Sequence, residues 1–288
     1  MRFLKRLTAA GTVMALAALV FASVAPASSH HPKGEFADFG ECPLNRESIT
    51  DCVFSVTNGG SVLIGKKNVP LVNPVTLQGG FEGVGEEVEF YGAENGDTLS
   101  KTPQPVPGGL LGITAPKWWP KFVQDWFNNL INEGFTGINA IVELTGPTKG
   151  LTNVKLSTEN LLNQEGTALG LPVKVKLENA ILGNNCYIGS NSKPVQIDFT
   201  TGESGALKGS VGTLTFNKEF TLITISGGKL VNGTFAAPGA NGCGGIFSFL
   251  IDPLVDSVLG TPSPSGKNNA TLEGVLKDAA AFAVKASE

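Results

Sequence analysis

Two segments alternate apolar and polar residues without a break: Val173-Lys174-Val175-Lys176-Leu177-Glu178 and Val195-Gln196-Ile197-Asp198-Phe199-Thr200. A period of two puts the apolar side chains of each segment on one face, so each reads as an antiparallel strand with one face buried and one in water. Val53 to Thr57, Ser61 to Gly65, Ile138 to Leu144, Val154 to Leu156, Leu207 to Phe216, Phe220 to Ile225 and Lys229 to Phe235 read as further short strands. Pro70 to Glu89 adds apolar runs cut by Pro74, Gly79-Gly80, Gly83 and Gly85. Asn58-Gly59-Gly60, Asn217-Lys218, Gly227-Gly228 and Asn232-Gly233 supply turn chemistry between strands. The chain holds 37 Gly and 17 Pro in 288 residues, enough to punctuate many strands without becoming low-complexity. The expected fold is mainly β, an antiparallel β-sandwich or barrel-like domain with one or two short helices.

The clearest helix follows a Pro/Gly-rich connection from Thr98 to Lys117. Phe122, Trp126 and Leu130, with Val123, Phe127 and Ile131 beside them, recur at spacings of four and form one stripe. Pro120 suits the first turn, and Gly134 suits the stop. This amphipathic insertion, 98–134, carries Trp118, Trp119, Phe122, Trp126 and Phe127. Two readings apply: a core helix covering one face of the sheet, or an apolar binding segment for lipid or another apolar ligand. Asp252-Pro253 with Leu254, Val255, Val258 and Leu259 reads as a short second helix, and Ala270 to Ala286 fits either a helix or a closing strand.

The N-terminus sets the compartment. Arg2, Lys5 and Arg6 precede an uncharged stretch from Leu7 to Val24 and a small-x-small site at Ala25-Pro26-Ala27, the order of a cleavable signal peptide at residues 1–27. A flexible leader is expected at 28–40 and a single β-rich domain at 41–288. No transmembrane span is expected in the mature chain, because Asp252, Pro253 and Asp256 interrupt the best later apolar run. An even number of cysteines in an exported chain reads as disulfides. Of the three possible pairings, Cys42 with Cys52 is favoured by their closeness in sequence, which leaves Cys186 with Cys243.

Charge and composition exclude function classes. Loss of the three signal-peptide cations leaves 18 Lys and Arg against 25 Asp and Glu, a charge of −7. A nucleic-acid binder needs a basic face, so none is expected. Both histidines, His30 and His31, lie in the leader, so the domain has no imidazole for Ser-His or Cys-His catalysis or for a His-based metal site. Gly60 to Lys66 has the spacing of a phosphate loop, but Lys67 stands where Ser or Thr must hold magnesium. Ser226-Gly-Gly-Lys229 matches Ser-x-x-Lys between strand patterns, where that motif needs a helix start. Glu82, Glu86, Glu87, Glu89, Glu94 and Asp97 form an acidic cluster that reads as a solvated edge; its alternative is a carboxylate-based hydrolase. No catalytic, cofactor-binding or metal residue is nominated.

The stretch from Leu171 through Cys186-Tyr187-Ile188-Gly189-Ser190 to Pro194-Val195-Gln196-Ile197-Asp198-Phe199-Thr200-Thr201-Gly202, with Ala140 to Glu143 and Asn268-Asn269-Ala270-Thr271, resembles uncharacterised secreted β-rich proteins of actinobacteria that share a Cys-Tyr-Ile-Gly-Ser core. The resemblance spans about half of the mature chain. It implies a secreted β-rich protein and lends no activity. The expectation is a secreted or cell-envelope protein, non-enzymatic, structural or binding, with an envelope protein or lipid as partner and no cofactor. The alternative is a lipid or apolar-ligand binder using the Trp-rich helix.

Overall fold

The computed structural model describes residues 30–83, 88–109, 117–133 and 137–288. The expected signal peptide at 1–27, Glu86, Glu87 and Gly134 lie outside the described residues. Two antiparallel sheets dominate. The first runs in the order 213–216, 222–232, 269–280, 51–64, 75–82, 89–92 and 150–151, with 67–70 pairing back on 51–64 as a hairpin. The second is built on Leu169–Glu178, which pairs with Asn139–Leu144 and Lys155–Leu156 along one edge and with Tyr187–Ile188 and Val195–Phe199 along the other.

The alternation behaves as period two requires. Val173, Val175, Leu177, Val195, Ile197 and Phe199 are buried, while Lys174, Lys176 and Glu178 face outward beside Glu143. Their buried face meets Val53, Leu77, Phe81 and Phe90 of the first sheet in one core, a sandwich-like arrangement. The outer face of the first sheet is covered too. A 3-10 helix at Gly34–Phe39 and α4 (Ala281–Ala286) bury Phe39, Leu44, Leu222 and Val284 there. Residues 30–40 are therefore an ordered part of the domain rather than a flexible leader: Phe39 is an apolar anchor, and His30 Nδ1 lies 2.6 Å from Glu288 Oε1. The cysteines pair as Cys42–Cys52 and Cys186–Cys243.

The described residues contain four α-helices, more than the one or two expected: α1 (Lys121–Glu133), α2 (Thr158–Asn163), α3 (Ser248–Leu259) and α4. Helix α3 begins before Asp252-Pro253 and carries Pro253 inside it. Residues 269–280 form a strand and 281–286 form α4, so the ambiguous C-terminal run is both. Residues 98–106 belong to the body and not to an insertion. The Gln78 amide donates to the Thr98 carbonyl, and Gln104 pairs with Ala140.

Two expected turns are bulges instead. Thr57 pairs with Gly274 and Gly59 with Glu273, which leaves Asn58 unpaired inside the continuous strand Asp51–Ile64. Ser226 pairs with Val275 and Gly228 with Gly274, which leaves Gly227 extra inside Leu222–Asn232. Both bulges sit at the level of Gly274 on the strand between them. The reversal after Ile64 is made by Gly65 and Lys66, with Gly65 at φ +58°. The Gly60–Lys66 and Ser226–Lys229 motifs thus lie in a strand with its hairpin and in a bulged strand, where neither has the loop or helix its chemistry needs.

Candidate functional site

The space between the sheets is not filled. Val53, Ser55 and Thr57 face it, and past the bulge so do Val62 and Ile64. Leu272, Gly274 and Leu276 face it from the neighbouring strand; Leu169, Leu171, Val173 and Val175 face it from the second sheet. Three adjoining cavities of about 60, 90 and 60 Å³ share these walls. Leu77, Leu169, Leu230 and Leu272 line both the first and the second, and Val62, Ile64, Leu71 and Val142 line both the second and the third. Val62, Ile64, Val75, Leu230, Leu272 and Leu276 point into the core yet stay only partly buried. A close-packed sandwich would bury them. The result is a row of three apolar cavities with shared walls, a slot between the sheets in which each cavity is smaller than the ~150 Å³ pocket that admits benzene in an apolar core.

Charge lies in the wall at one end of the slot and just beyond the wall at the other. At the third cavity Lys67 is half-buried, which lowers its pKa, and its Nζ donates to the Gly109 carbonyl at 3.3 Å. At the other end the interior row of the 269–280 strand continues past Leu276 to Asp278, paired with Val53 of the first cavity and with Ile223. Asp51 follows Val53 on the same face. Burial, and then the nearby charge of Asp51, push Asp278 up to about 7. Burial also raises Asp51, against a hydrogen bond from Thr50. Asp278 Oδ1 is sealed from solvent and has no hydrogen-bond partner.

The aromatic residues nominated from sequence lie elsewhere. Trp118, Phe122 and Trp126 are 82, 75 and 64% exposed and Trp119 is half-buried, so these residues at the start of α1 lie at the surface. Trp118 and Trp119 pack edge to face, 6.1 Å between centroids. The Phe127 side chain lies outside the described residues. A second apolar face, not nominated from sequence, lies on α3. Asp252 accepts the backbone N–H groups of Gly242 and Cys243, and Asp256 accepts the Ala240 N–H and the Thr261 hydroxyl. Both charges of the helix are thereby turned inward. Ile246 and Phe247 of the preceding 3-10 turn and Phe249, Leu250 and Leu254 of α3 remain on the outside, Ile246 86% exposed and Phe249 71%. Single exposed apolar residues are ordinary; several large ones within residues 246–254 are more than that and suit a contact surface.

The acidic cluster is dispersed among separate partners. Glu82 and Glu89 face one another across two strands, but Glu82 accepts from Ser48 and Glu89 from Tyr91, while Glu94 lies 3.6 Å from Lys149. A shallow polar depression of about 800 Å³ includes Gln196, Asp198 and Asn232, whose amides bond to Asp198. Among the described residues no group of three or more His, Cys, Asp or Glu side chains could hold a metal ion.

Sequence reasoning missed the slot and Asp278. The signal for Asp278 was present: it falls in phase with Leu272, Gly274 and Leu276, an acid where the alternation calls for an apolar side chain. Compared with known proteins, the chain matches no family model, no curated protein and no solved structure. Two disulfide bonds suit an oxidising, extracellular setting, and no helix among the described residues is long and apolar enough to cross a membrane.

Proposed function

We propose that this chain is an exported, non-enzymatic binding protein whose ligand carries an apolar chain held in the slot between the two sheets. The observation that carries the reading is the slot itself: inward aliphatic side chains of both sheets face unfilled space in a single disulfide-pinned body. Apolar ligand pockets have this form, largely preformed and lined by aliphatic groups with a few polar ones. The exposed aromatics of α1 and the apolar outer face of α3 give the protein surfaces suited to a lipid phase from which such a ligand would be drawn. A signal peptide and two disulfides support action outside the cytoplasm.

The test is displacement of the apolar fluorophore N-phenyl-1-naphthylamine by dodecanol. Wild type is expected to bind the fluorophore and release it to dodecanol. Ser55→Leu with Thr57→Leu, both facing the slot, fills that space and is expected to weaken binding at least tenfold while thermal unfolding stays cooperative. Unchanged binding in the filled variant would refute the slot.

A further inference from the structure

The slot has two unlike ends, and they differ in whether their charges are already satisfied. Lys67 donates to the Gly109 carbonyl. Asp278 Oδ1 is out of contact with solvent and accepts from nothing. A buried acceptor without a donor is unfavourable in the empty protein and becomes favourable when a ligand supplies the donor. The second group here is also an acid: Asp51 lies on the adjacent strand, on the same interior face, one alternation step beyond Val53. Among the described residues neither carboxyl is in an ion pair; the lysine beside Asp278 in sequence, Lys277, points to the other face and pairs with Asp38. Ile223, the partner of Asp278 on its other side, is apolar. Two acids therefore lie on the interior face just past Val53, a wall residue of the first cavity, with no cation between them.

We infer that Asp278 and Asp51 anchor the head of the ligand, and that the head is a cationic amine on an alkyl chain lying along the slot. The inference rests on the slot reading above and adds the class of ligand. An ammonium group donates to Asp278 Oδ1 and neutralises the mutual repulsion of the two carboxyls. A hydroxyl head satisfies the acceptor without relieving the repulsion. A carboxylate head adds a third negative group there, and at the opposite end it must compete with the Gly109 carbonyl for Lys67.

The experiment compares dodecylamine, dodecanol and dodecanoate as displacers of N-phenyl-1-naphthylamine from the mature protein, in wild type and in Asp278→Asn. Dodecylamine is expected to displace the fluorophore at roughly tenfold lower concentration than dodecanol, with dodecanoate the weakest. Asp278→Asn is expected to bring dodecylamine within about twofold of dodecanol and to leave dodecanol itself unchanged. Three outcomes overturn the assignment. Equal displacement by all three ligands keeps the slot and removes the anchor. An amine preference that survives in Asp278→Asn, and again in Asp51→Asn, assigns it to the overall negative charge instead. Displacement by none of the three refutes the slot and the anchor together.

Discussion

Replacing Asp278 by Asn should make the protein more stable, and increasingly so as the pH rises. In the folded state the carboxyl titrates at about 7, against an ordinary value of 3.8. The direction follows from proton counting. Above pH 3.8 the unfolded chain has released this proton while the folded protein still holds it, so each step up in pH favours unfolding until the folded carboxyl also ionises near 7. Stability from this group is complete below about pH 3.8, declines between 3.8 and 7, and is level above. The interval of 3.2 units at about 1.36 kcal/mol per unit amounts to about 4 kcal/mol. Asp51 is the charged group acting on Asp278, and its own raised pKa adds a decline of the same sign in both proteins. Asn keeps the size and polarity and removes the titration. Urea unfolding with the disulfides intact, at intervals from pH 4 to pH 8, should show the variant and wild type close at pH 4. The gap should then widen by about 4 kcal/mol by pH 8. A gap that does not change with pH would mean that Asp278 is solvated in the folded protein, and the account of the slot's acidic end would fall with it.

Two more outcomes test other parts of the structure. A Cβ on Gly274 would collide with the carbonyl of Val56, whereas a Cβ on Gly59 meets Glu273 Cβ at an ordinary 3.6 Å. Gly274→Ala should therefore destabilise by several kcal/mol or prevent folding while Gly59→Ala costs about 1 kcal/mol or less, as thermal unfolding of the two variants will show; similar losses would refute the paired bulges. All three tryptophans lie at Trp118, Trp119 and Trp126, so their emission reports on the start of α1 alone. It should be red-shifted in buffer, open to acrylamide quenching, and blue-shifted by phosphatidylcholine vesicles; a blue-shifted spectrum in buffer would contradict the exposed geometry, and no response to vesicles would remove α1 as a lipid-facing surface.

The strands with strict alternation, 173–178 and 195–200, were legible from sequence because a half-buried strand is a local pattern. The cysteine pairing was legible because so few partners compete. The helix of residues 121–133 was legible as a helix, but its apolar stripe could not say whether it meets a sheet or the surroundings. Residues 57–60 and 226–228 misled for a physical reason. A bulge switches the inward positions from odd to even, so Thr57 and Val62 share a face that simple alternation would separate, and the glycines that permit the switch look like a turn. Only the partner strand, more than two hundred residues away for Thr57 and Gly274, distinguishes the two. The outward face of α3 was hidden in the same way: Asp252 and Asp256 look like a solvated side until the backbone N–H groups of residues 240–243 are found opposite them.

The matched bulges also bear on assembly errors. Strands of this length can pair out of step by two residues and still present the correct faces, since period-two patterning does not notice such a slip. Here the strand 269–280 carries one residue without a side chain at the level where both neighbours crowd inward. A slip of two residues would bring Leu272 or Leu276 to that level, against the Val56 carbonyl that excludes even a methyl group at Gly274. The three strands therefore act as a gauge with a notch cut in its middle leaf: only one alignment closes.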